Sequence, residues 1–253
     1  MSAEAGRRTG RRAGGIFPVL ALIGRPASGK SEILDYLRRV PLKERRRRFH
    51  LGELRVLDDF PMLWAWLEED HLLAEMGLPR LHTTADGCFL ADSLWDLLIR
   101  RLGLDYDKLL REDPDLHERA TVILEFSRGS EHGGYAQAFS HLSDAIVKRL
   151  AVLYVRVSFE ESRRKNRRRF NPQRPYSILE HSLPDEKLER LYRDDDWPAL
   201  SAADPSFLRI QGRGVAYAVF ENEDDLTSSG GPALGGRLEE ALGGLYRLHR
   251  AAH

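Results

Sequence analysis

The sequence is poor in cysteine: its 253 residues contain only one, Cys88. A single cysteine forms no intrachain disulfide and provides no thiolate cluster for zinc or an iron–sulfur centre. The nine histidines include no His-Glu-x-x-His motif, which would place two imidazoles on one face of a helix. The composition therefore predicts no permanent metal site, and the lack of cysteine favours a reducing cytoplasm.

Net charge is also absent, because 39 Lys and Arg residues balance 39 Asp and Glu residues. A neutral chain creates no overall field that would attract nucleic acid or an anionic membrane. The neutral charge therefore disfavours nucleic acid and membrane as partners. Self-association into a homodimer is left open by the sequence.

Long apolar runs are missing as well. A membrane-spanning helix needs about 18 apolar residues or more, and the run 16–23 has only eight. Arg7, Arg8, Arg11 and Arg12 precede this run in the order of a signal peptide, but the apolar part is short and contains Pro18. We therefore expect neither secretion nor membrane insertion.

What is present is an alternation of strand and helix patterns. Residues 1–15 are rich in Gly, Ala and Arg and predict a flexible basic tail, followed by a single domain over 16–253. The run 16–23 is apolar without alternation, as in a strand buried on both faces of a parallel sheet. Helical periodicity follows at Ile33, Leu34 and Leu37. The pattern predicts an α/β fold with a mostly parallel central sheet and helices on both faces.

The remaining elements follow the same alternation. Strands are predicted at 51–57, 121–125 and 151–157, and a closing pair at 207–211 and 215–220. Helices are predicted at about 63–76, 93–104, 135–150, 160–170, 184–192 and 234–245. The arginine-rich stretch 45–48 is interpreted mainly as a solvated loop, with binding of acceptor phosphate or RNA as the alternative.

One motif carries chemistry on its own. The eight residues after the first predicted strand match G-x-x-x-x-G-K-[S/T] completely; they are Gly24, Arg25, Pro26, Ala27, Ser28, Gly29, Lys30 and Ser31. In such a phosphate-binding loop, or P-loop, backbone N–H groups and the positive end of the following helix cradle phosphate oxygens. Lys30 is expected to reach the β- and γ-phosphates of ATP, and Ser31 to hold Mg²⁺. The fold prediction is therefore a three-layer P-loop sandwich.

The chain lacks motifs that are typical of several classes of P-loop protein. The chain has no L-S-G-G-Q motif of transporter ATPases and no room for the lid domain of ring ATPases. Asn222-Glu223-Asp224-Asp225 has the outer residues of the guanine-reading N-K-x-D motif but lacks its lysine. These features disfavour a transporter ATPase, a motor ATPase and a GTPase.

Two further segments supply groups suited to phosphoryl transfer. The predicted strand 121–125 ends at Glu125, and Arg128 follows three residues later. A carboxylate at this place can bind Mg²⁺ or accept a proton. The alternative for Glu125 is an ion pair on the surface. In the basic helix, Arg164 and Arg168 are four residues apart, as are Lys165 and Arg169. Each pair would lie on one helical face and could clamp phosphoryl oxygens, unless the helix only presents a solvated face.

In the order of its elements, from about 17 to 248, the chain resembles the P-loop nucleoside and nucleotide kinases, including thymidylate and deoxynucleoside kinases. Residues 158–161 before the basic helix are similar to that family's S-P-E-x lead into an arginine-bearing lid, here about 158–182. The resemblance implies lid cations at Lys165, Arg168 and Arg169 and an adenine-binding loop near Asn222. Deoxynucleoside kinases carry the tripeptide Glu-Arg-Ser at the third strand. This chain departs from that pattern, because its residues 125–128 are Glu-Phe-Ser-Arg.

The acceptor side is predicted within an insertion of about 41–118. By the same resemblance, Asp58 or Asp59 would orient or deprotonate the acceptor, although aspartate is also a preferred helix N-cap. Phe60, Trp64 and Trp66 either stack on an acceptor ring or build core. His132, before Gly133 and Gly134, lies in a turn or in a flexible substrate loop.

The sequence thus favours ATP- and Mg²⁺-dependent phosphoryl transfer to a nucleoside, nucleotide or other small acceptor. The base is Asp58, Asp59 or Glu125 in this interpretation. One alternative is a nucleotide-dependent switch or regulatory NTPase whose bound ATP orders the lid for a protein partner. Another is an RNA-end kinase or RNA-binding protein, which rests on the arginine clusters.

Overall fold

The computed structural model describes residues 15–169, 173 and 182–252. Nearly all of the predicted basic tail 1–15 lies outside the described residues, as does most of the predicted lid after residue 169. The predicted limits of a single domain, 16–253, stay a prediction.

The described residues form a six-stranded sheet. Its strands are β1 (Val19–Gly24), β2 (Glu53–Asp58), β3 (Ala120–Phe126), β4 (Leu150–Arg156), β5 (Phe207–Ile210) and β6 (Arg213–Glu221). Their order across the sheet is β2-β3-β1-β4-β6-β5. All neighbouring strands are parallel except β5 and β6, which form an antiparallel hairpin. The predicted mostly parallel sheet and the closing pair of strands are therefore confirmed.

Helices connect the strands. They are α1 (Lys30–Arg39), α2 (Leu42–Phe49), α3 (Phe60–Glu75), α4 (Ser93–Glu112), α5 (Leu116–Arg119), α6 (Gly134–Ser140), α7 (Asp144–Val147), α8 (Phe159–Arg169), α9 (Asp185–Tyr192), α10 (Trp197–Ser201), α11 (Leu226–Ser229) and α12 (Gly231–Ala251). A short 3-10 helix covers Ser130–His132. Within the described part of the chain, none of these helices has both the length and the apolar character needed to cross a membrane.

The side chains of β1 divide the core into two layers. Val19 and Ile23 pack on one face with α4, α6 and α7, whereas Leu20 and Leu22 pack on the other with α1 and α12. Both faces of the central strand are fully covered, which is why its sequence is a continuous apolar run rather than an alternating one. Together with the loop between β1 and α1, this confirms the three-layer P-loop sandwich.

The predicted helix at 135–150 is wrong as a single element. Helix α6 ends at Ser140, and a new helix begins after Ser143, whose hydroxyl accepts a hydrogen bond from the backbone N–H of Ile146 at 3.4 Å. Leu150 already belongs to β4. The buried residues of two short helices and a strand fall by coincidence at helical spacing, so periodicity alone does not reveal the break.

The arginine-rich stretch 45–48 is also not a loop, because it lies in α2. Arg45 is 8% exposed, and its guanidinium donates to the backbone carbonyls of Gly52 (3.0 Å) and Leu37 (2.9 Å). Arg48 pairs with Glu44 and Glu239. These contacts hold α2 against neighbouring elements, and they leave nothing in the structure that favours acceptor or RNA binding by this stretch.

Candidate functional site

The site lies at the carboxyl edge of the sheet, where β1 stands between β3 and β4. Chain connections diverge to opposite sides at this point, and ligands of open α/β sheets bind in the resulting crevice. The loop 24–29 leaves β1 here and leads directly into α1. The backbone of this loop and the N-terminus of α1 therefore face the crevice, as phosphate binding requires.

Two glycines allow the tight course of this loop. Gly29 has a φ of 111°, and a Cβ atom there would lie 2.5 Å from Thr227 Oγ1 and 2.6 Å from Asn222 Nδ2. At Gly24, a Cβ atom would lie 2.5 Å from the carbonyl oxygen of Val155. Neither position accommodates a side chain, so both glycines of the motif have a steric reason to be glycine.

Asn222 holds the P-loop from behind. It is fully buried, and its side-chain amide donates to the carbonyl of Ser28 (2.7 Å) and to Thr227 Oγ1 (2.8 Å). Its side-chain oxygen accepts from the backbone N–H of Thr227 at 3.1 Å. Asn222 does not line the cavity described below, so its predicted direct contact with a nucleotide is corrected to support of the loop.

Arg25 anchors the other side of the loop. Its guanidinium donates to the carbonyls of Val157, Tyr192 and Arg193 at 3.1–3.2 Å and pairs with Asp195 at 3.0 Å. The side chain therefore ties the P-loop to the end of α9. Like Gly24 and Ser28, Arg25 belongs to the loop but does not line the cavity.

Lys30 lies at the floor of the site. Its ammonium donates to the carbonyls of Gly24 (3.2 Å) and Arg25 (3.0 Å) and to Ser127 Oγ (2.9 Å). Burial lowers the pKa of Lys30, while the nearby Glu125 carboxylate raises it. A charge buried at this depth, beside the phosphate cradle, is placed to contact a phosphate group.

A cavity of about 630 Å³ opens above the P-loop. Its lining joins one wall of P-loop residues and charged groups to a second wall of aromatic and apolar side chains. The first wall comprises Pro26, Ala27, Gly29, Lys30, Ser31, Asp58, Asp59, Glu125, Lys165, Arg168 and Arg169; the second includes Phe60, Leu63, Trp64, Phe89, Trp95, His132 and Tyr192. The volume falls within the roughly 300–1,000 Å³ typical of small-ligand pockets.

Two acids lie side by side in this cavity. Asp58 and Glu125 are register partners at the ends of β2 and β3. Burial, together with the Glu125 and Asp59 charges, raises the pKa of Asp58 to about 7. Burial also raises the pKa of Glu125, while Lys30 lowers it. At neutral pH this pair can therefore hold or take up a proton.

Asp59 has a different role from Asp58. Its carboxylate forms an ion pair with Arg128 at 2.6 Å, and both side chains are buried. Asp58 lies one residue before the N-cap position, and its Oδ1 accepts a hydrogen bond from the backbone N–H of Phe60, the first residue of α3, at 3.0 Å. The structure thus separates the two acids that the sequence left equivalent: Asp58 lines the cavity without an ion pair to Arg128, whereas Asp59 is held by that arginine.

Arg128 is fixed on several sides. It is 2% exposed, its guanidinium lies 5.1 Å from the centre of the Trp95 ring, and it donates to the Trp95 carbonyl at 3.2 Å. Through the ion pair, Arg128 joins β3, the start of α3 and α4 in one wall of the cavity.

The cations of α8 converge on Asp225. Lys165 lies 2.8 Å, Arg164 2.7 Å and Arg168 3.4 Å from its carboxylate, which lowers the pKa of Asp225 well below its usual range despite burial. Lys165, Arg168 and Arg169 line the cavity, and their contact with phosphoryl oxygens stays a prediction. Arg164 does not line it, because it pairs with Glu161 and Asp225, so nothing in this arrangement supports the predicted phosphoryl contact of Arg164.

The three aromatic residues considered for the acceptor side differ in whether they line the cavity. Phe60 and Trp64 line the cavity. Trp66 stacks on His82, with ring centres 4.9 Å apart, and has no place in the cavity wall. Lys187 and Arg190 of α9 also line the cavity, although no pattern in the sequence distinguishes them from the other Lys and Arg residues, 39 in all.

The donor set fits Mg²⁺ bound mainly through a nucleotide. Ser31 and Glu125 both line the cavity and offer a hydroxyl and a carboxylate oxygen, the ligand types that Mg²⁺ prefers. Among the described residues, no cluster of three or more His, Cys, Asp or Glu side chains could hold a metal ion alone. Ser31 and Glu125 are thus the protein groups suited to hold the ion of a metal–nucleotide complex.

Comparison with known proteins gives structural neighbours at low similarity. No protein-family model matches the chain, and no curated protein matches it. Among solved structures, TT1252 from Thermus thermophilus is 18% identical over 92% of this chain and 97% of its own, with a TM-score of 0.35. APE1195 is 16% identical over 95% and 97%, with a TM-score of 0.37. Shikimate kinase from Acinetobacter baumannii, in complex with shikimate, is 14% identical over 70% and 76%, with a TM-score of 0.31. At these values we transfer no activity from them, and the resemblance to thymidylate and deoxynucleoside kinases stays a prediction.

Proposed function

We propose that this protein is a P-loop kinase that transfers the γ-phosphoryl group of Mg-ATP to a small acceptor. One observation carries the proposal: Lys30 of the P-loop and the acids Asp58 and Glu125 line the same cavity. A nucleotide-binding loop alone would need only the first of these groups. The adjoining aromatic wall gives a second molecule a place beside the phosphates.

The charged wall would neutralise the transferring group. Lys30 would leave the loop carbonyls and bind β- and γ-phosphate oxygens, and Arg168 and Arg169 of α8 would contact the γ-phosphate from the opposite side. Ser31, with Glu125 directly or through water, would hold Mg²⁺, and the ion would offset the negative charge of the phosphate groups.

Asp58 is the best placed of the three acids to act as the general base. It lines the cavity, and its pKa of about 7 matches the operating pH, whereas Asp59 is held by Arg128. Asp58 would take the proton of the acceptor hydroxyl. The hydroxyl oxygen then bonds to the γ-phosphorus as the bond from that phosphorus to the ADP oxygen breaks.

The regulatory alternative makes different demands on the site. A nucleotide switch needs a cradle, a lid that orders on binding and a group that positions water for hydrolysis, but it has no use for an acceptor wall. The aromatic wall therefore favours the kinase. The two functions separate experimentally, because a switch hydrolyses ATP slowly whether or not an acceptor is present.

The test is ADP production by the purified protein with Mg-ATP, alone and against pools of nucleosides, nucleotides, sugars and other small alcohols. We expect one pool to stimulate turnover in the wild type and not in Lys30→Ala. Subdividing that pool would then identify the acceptor. ATP binding without stimulation by any pool would contradict the kinase and favour the switch.

A further inference from the structure

His132 is buried at the aromatic end of the cavity. It ends the 3-10 helix after β3, is 7% exposed and lines the cavity wall. Its ring stacks on Trp95 with centres 3.9 Å apart, and the ring of Tyr192 meets it edge-on at 5.6 Å. The imidazole is thus held between two aromatic side chains rather than on a mobile loop.

Neither nitrogen of this ring has a hydrogen-bond partner. Nδ1 and Nε2 of His132 are both shielded from solvent and unpaired. His117, also largely buried, pairs its Nε2 with the hydroxyl of Tyr106 at 2.9 Å. A neutral imidazole carries one donor and one acceptor, and leaving both unsatisfied in the interior costs stability.

An apolar ring would fill the same space without this cost. The contacts of His132 with Trp95 and Tyr192 are ring contacts, which phenylalanine also makes. Burial, with the nearby charges of Arg128 and Arg190, lowers the pKa of His132 to about 3, so the ring is neutral near pH 7. The nitrogens therefore contribute neither charge nor bonds to the fold, which points to a partner that arrives with a ligand.

The nitrogens of His132 can exchange places with the carbons of the same ring. A half-turn of the ring about its Cβ–Cγ bond exchanges each nitrogen with a ring carbon and preserves the plane of the stack. Histidine rings in either orientation fill the same volume. A ligand that offers hydrogen-bonding groups would make the turned orientation favourable.

The cations at this end already have partners. Lys187 Nζ donates to the carbonyls of Asp86 and Gly87, and Arg190 contacts Cys88 Sγ at 2.7 Å and Glu131 at 3.5 Å. Arg128 is paired with Asp59. Among the described residues, this end of the cavity thus offers aromatic surface and an unpaired imidazole but no unpartnered cation that would select a phosphate group.

We infer that His132 determines acceptor specificity by hydrogen bonding to the ring edge of an uncharged alcohol that carries a planar ring. This inference rests on the proposed kinase function. The ring of the acceptor would lie among Phe60, Trp64 and Trp95, with its hydroxyl directed to Asp58. A site with buried polar groups discriminates strongly against ligands that leave those groups unpaired.

The experiment compares His132→Phe, His132→Gln and the exposed control His71→Phe with the wild type. Thymidine, adenosine and pyridoxine serve as probes, each beside its phosphate ester and beside a sugar. We expect the wild type to prefer one ring-bearing alcohol over its ester. In His132→Phe, kcat/KM for that alcohol should fall about 10- to 100-fold at unchanged ATP affinity, and Tm should stay the same or rise. His132→Gln, which keeps a donor and an acceptor, should retain part of the activity.

Three results would overturn the inference. If the wild type phosphorylates an acceptor and His132→Phe does so with the same kcat/KM and selectivity, the assignment of His132 fails while the kinase function stands. A fall in Tm together with weakened ATP binding in His132→Phe would make the residue structural. If the wild type phosphorylates no acceptor, the proposed kinase function is wrong, and the inference about His132, which depends on that function, is wrong as well.

Discussion

Asp59 and Arg128 form a buried ion pair, 2.6 Å between Oδ2 and the guanidinium, in the wall between the P-loop and the aromatic end of the cavity. The pair joins the end of β2 to the segment after β3, two neighbouring strands that run parallel. The pairing of β2 with β3 places Asp58 beside Glu125, which is the geometry on which the proposed chemistry depends, and the ion pair adds a side-chain link next to it.

Breaking this pair from either side should destabilise the protein. Arg128→Met leaves a buried carboxylate alone, and Asp59→Asn leaves a buried guanidinium alone, so each should cost about 3–5 kcal/mol in the free energy of unfolding. The double variant should lose much less than the sum, because no unpaired charge remains. Urea denaturation measures all three. The exposed pair of Arg213 and Asp144, at 2.9 Å, is the control, and breaking it should change the free energy of unfolding far less. Additive losses at Asp59 and Arg128 would contradict their coupling.

Asn222→Ala should weaken nucleotide binding although the side chain lies outside the cavity. The variant leaves the Ser28 carbonyl without its partner, so the loop loses a restraint worth about 1–3 kcal/mol. We expect ATP affinity, measured by calorimetry, to fall roughly 10-fold. Gln211→Ala removes another side-chain amide, in the β5–β6 turn, which donates to the carbonyls of Phe139 and Leu142. This control should lose stability but keep its ATP affinity, and equal losses of affinity in both variants would contradict the support role of Asn222.

Asp58 should give the reaction a pH dependence near neutrality. Its folded-state pKa is about 7, so the base is protonated below that pH and kcat/KM for the acceptor should rise towards a plateau above it. Asp58→Asn should lose most of the activity and the rise with pH. Because both proteins use the same Mg-ATP solutions, the ionisation of ATP cancels in the comparison. A wild-type rise that persists in Asp58→Asn would assign the base elsewhere.

The same pKa has a consequence for stability. Between pH 3.8 and about 7 the folded protein binds a proton at Asp58 that the unfolded chain has released, so the contribution of this group to stability is lost as pH rises through that range. Asp58→Asn removes this dependence. Its Tm should exceed that of the wild type at pH 8, by roughly 2–4 °C per kcal/mol, and the difference should shrink towards pH 4. A lower Tm for the variant at pH 8 would show that the carboxylate stabilises the fold.

Asp225→Ala should leave a buried cation without its carboxylate. Lys165 has 3% of its side chain exposed and lies 2.8 Å from Asp225, so we expect a loss of about 3 kcal/mol in the free energy of unfolding. The stabilisation by Asp225 is present above its unfolded pKa and fades as pH falls, because its folded pKa is lowered. Asp224→Ala, which breaks an exposed pair with Arg237, is the control and should cost less than about 1 kcal/mol. Equal effects of both variants at pH 7 would contradict a structural link between α8 and the loop after β6.

The sequence predicted the features of the site that depend on residues close together in the chain. Glycines, Lys30 and Ser31 at the end of an apolar run give the P-loop, since loop, strand and helix are local in the chain. The roles of Asp58 and Asp59 could not be separated, because the difference is Arg128, which comes from another strand. Likewise, Asn222 supports Ser28 and Arg164 turns to Asp225 through contacts distant in sequence.

His132 illustrates the same limit from the other direction. Before two glycines, His132 is predicted to lie in a turn or in a flexible substrate loop, and nothing local indicates that its ring stacks on Trp95. Its unpaired nitrogens become visible only when every neighbour in space is known. Ser143 is different, since an N-cap residue between two apolar stretches is a local signal that periodicity over 135–150 concealed.

The most direct test of the central claim is to follow where the γ-phosphoryl group goes. ³¹P NMR of a reaction with Mg-ATP and the stimulating alcohol resolves the phosphate ester, ADP and inorganic phosphate together. A kinase with Lys30 and Asp58 in one cavity should form ester and ADP in equal amounts, with little inorganic phosphate, and neither should form in Lys30→Ala. ADP formed with an equal amount of inorganic phosphate, at one rate with and without the alcohol, would contradict the proposed phosphoryl transfer.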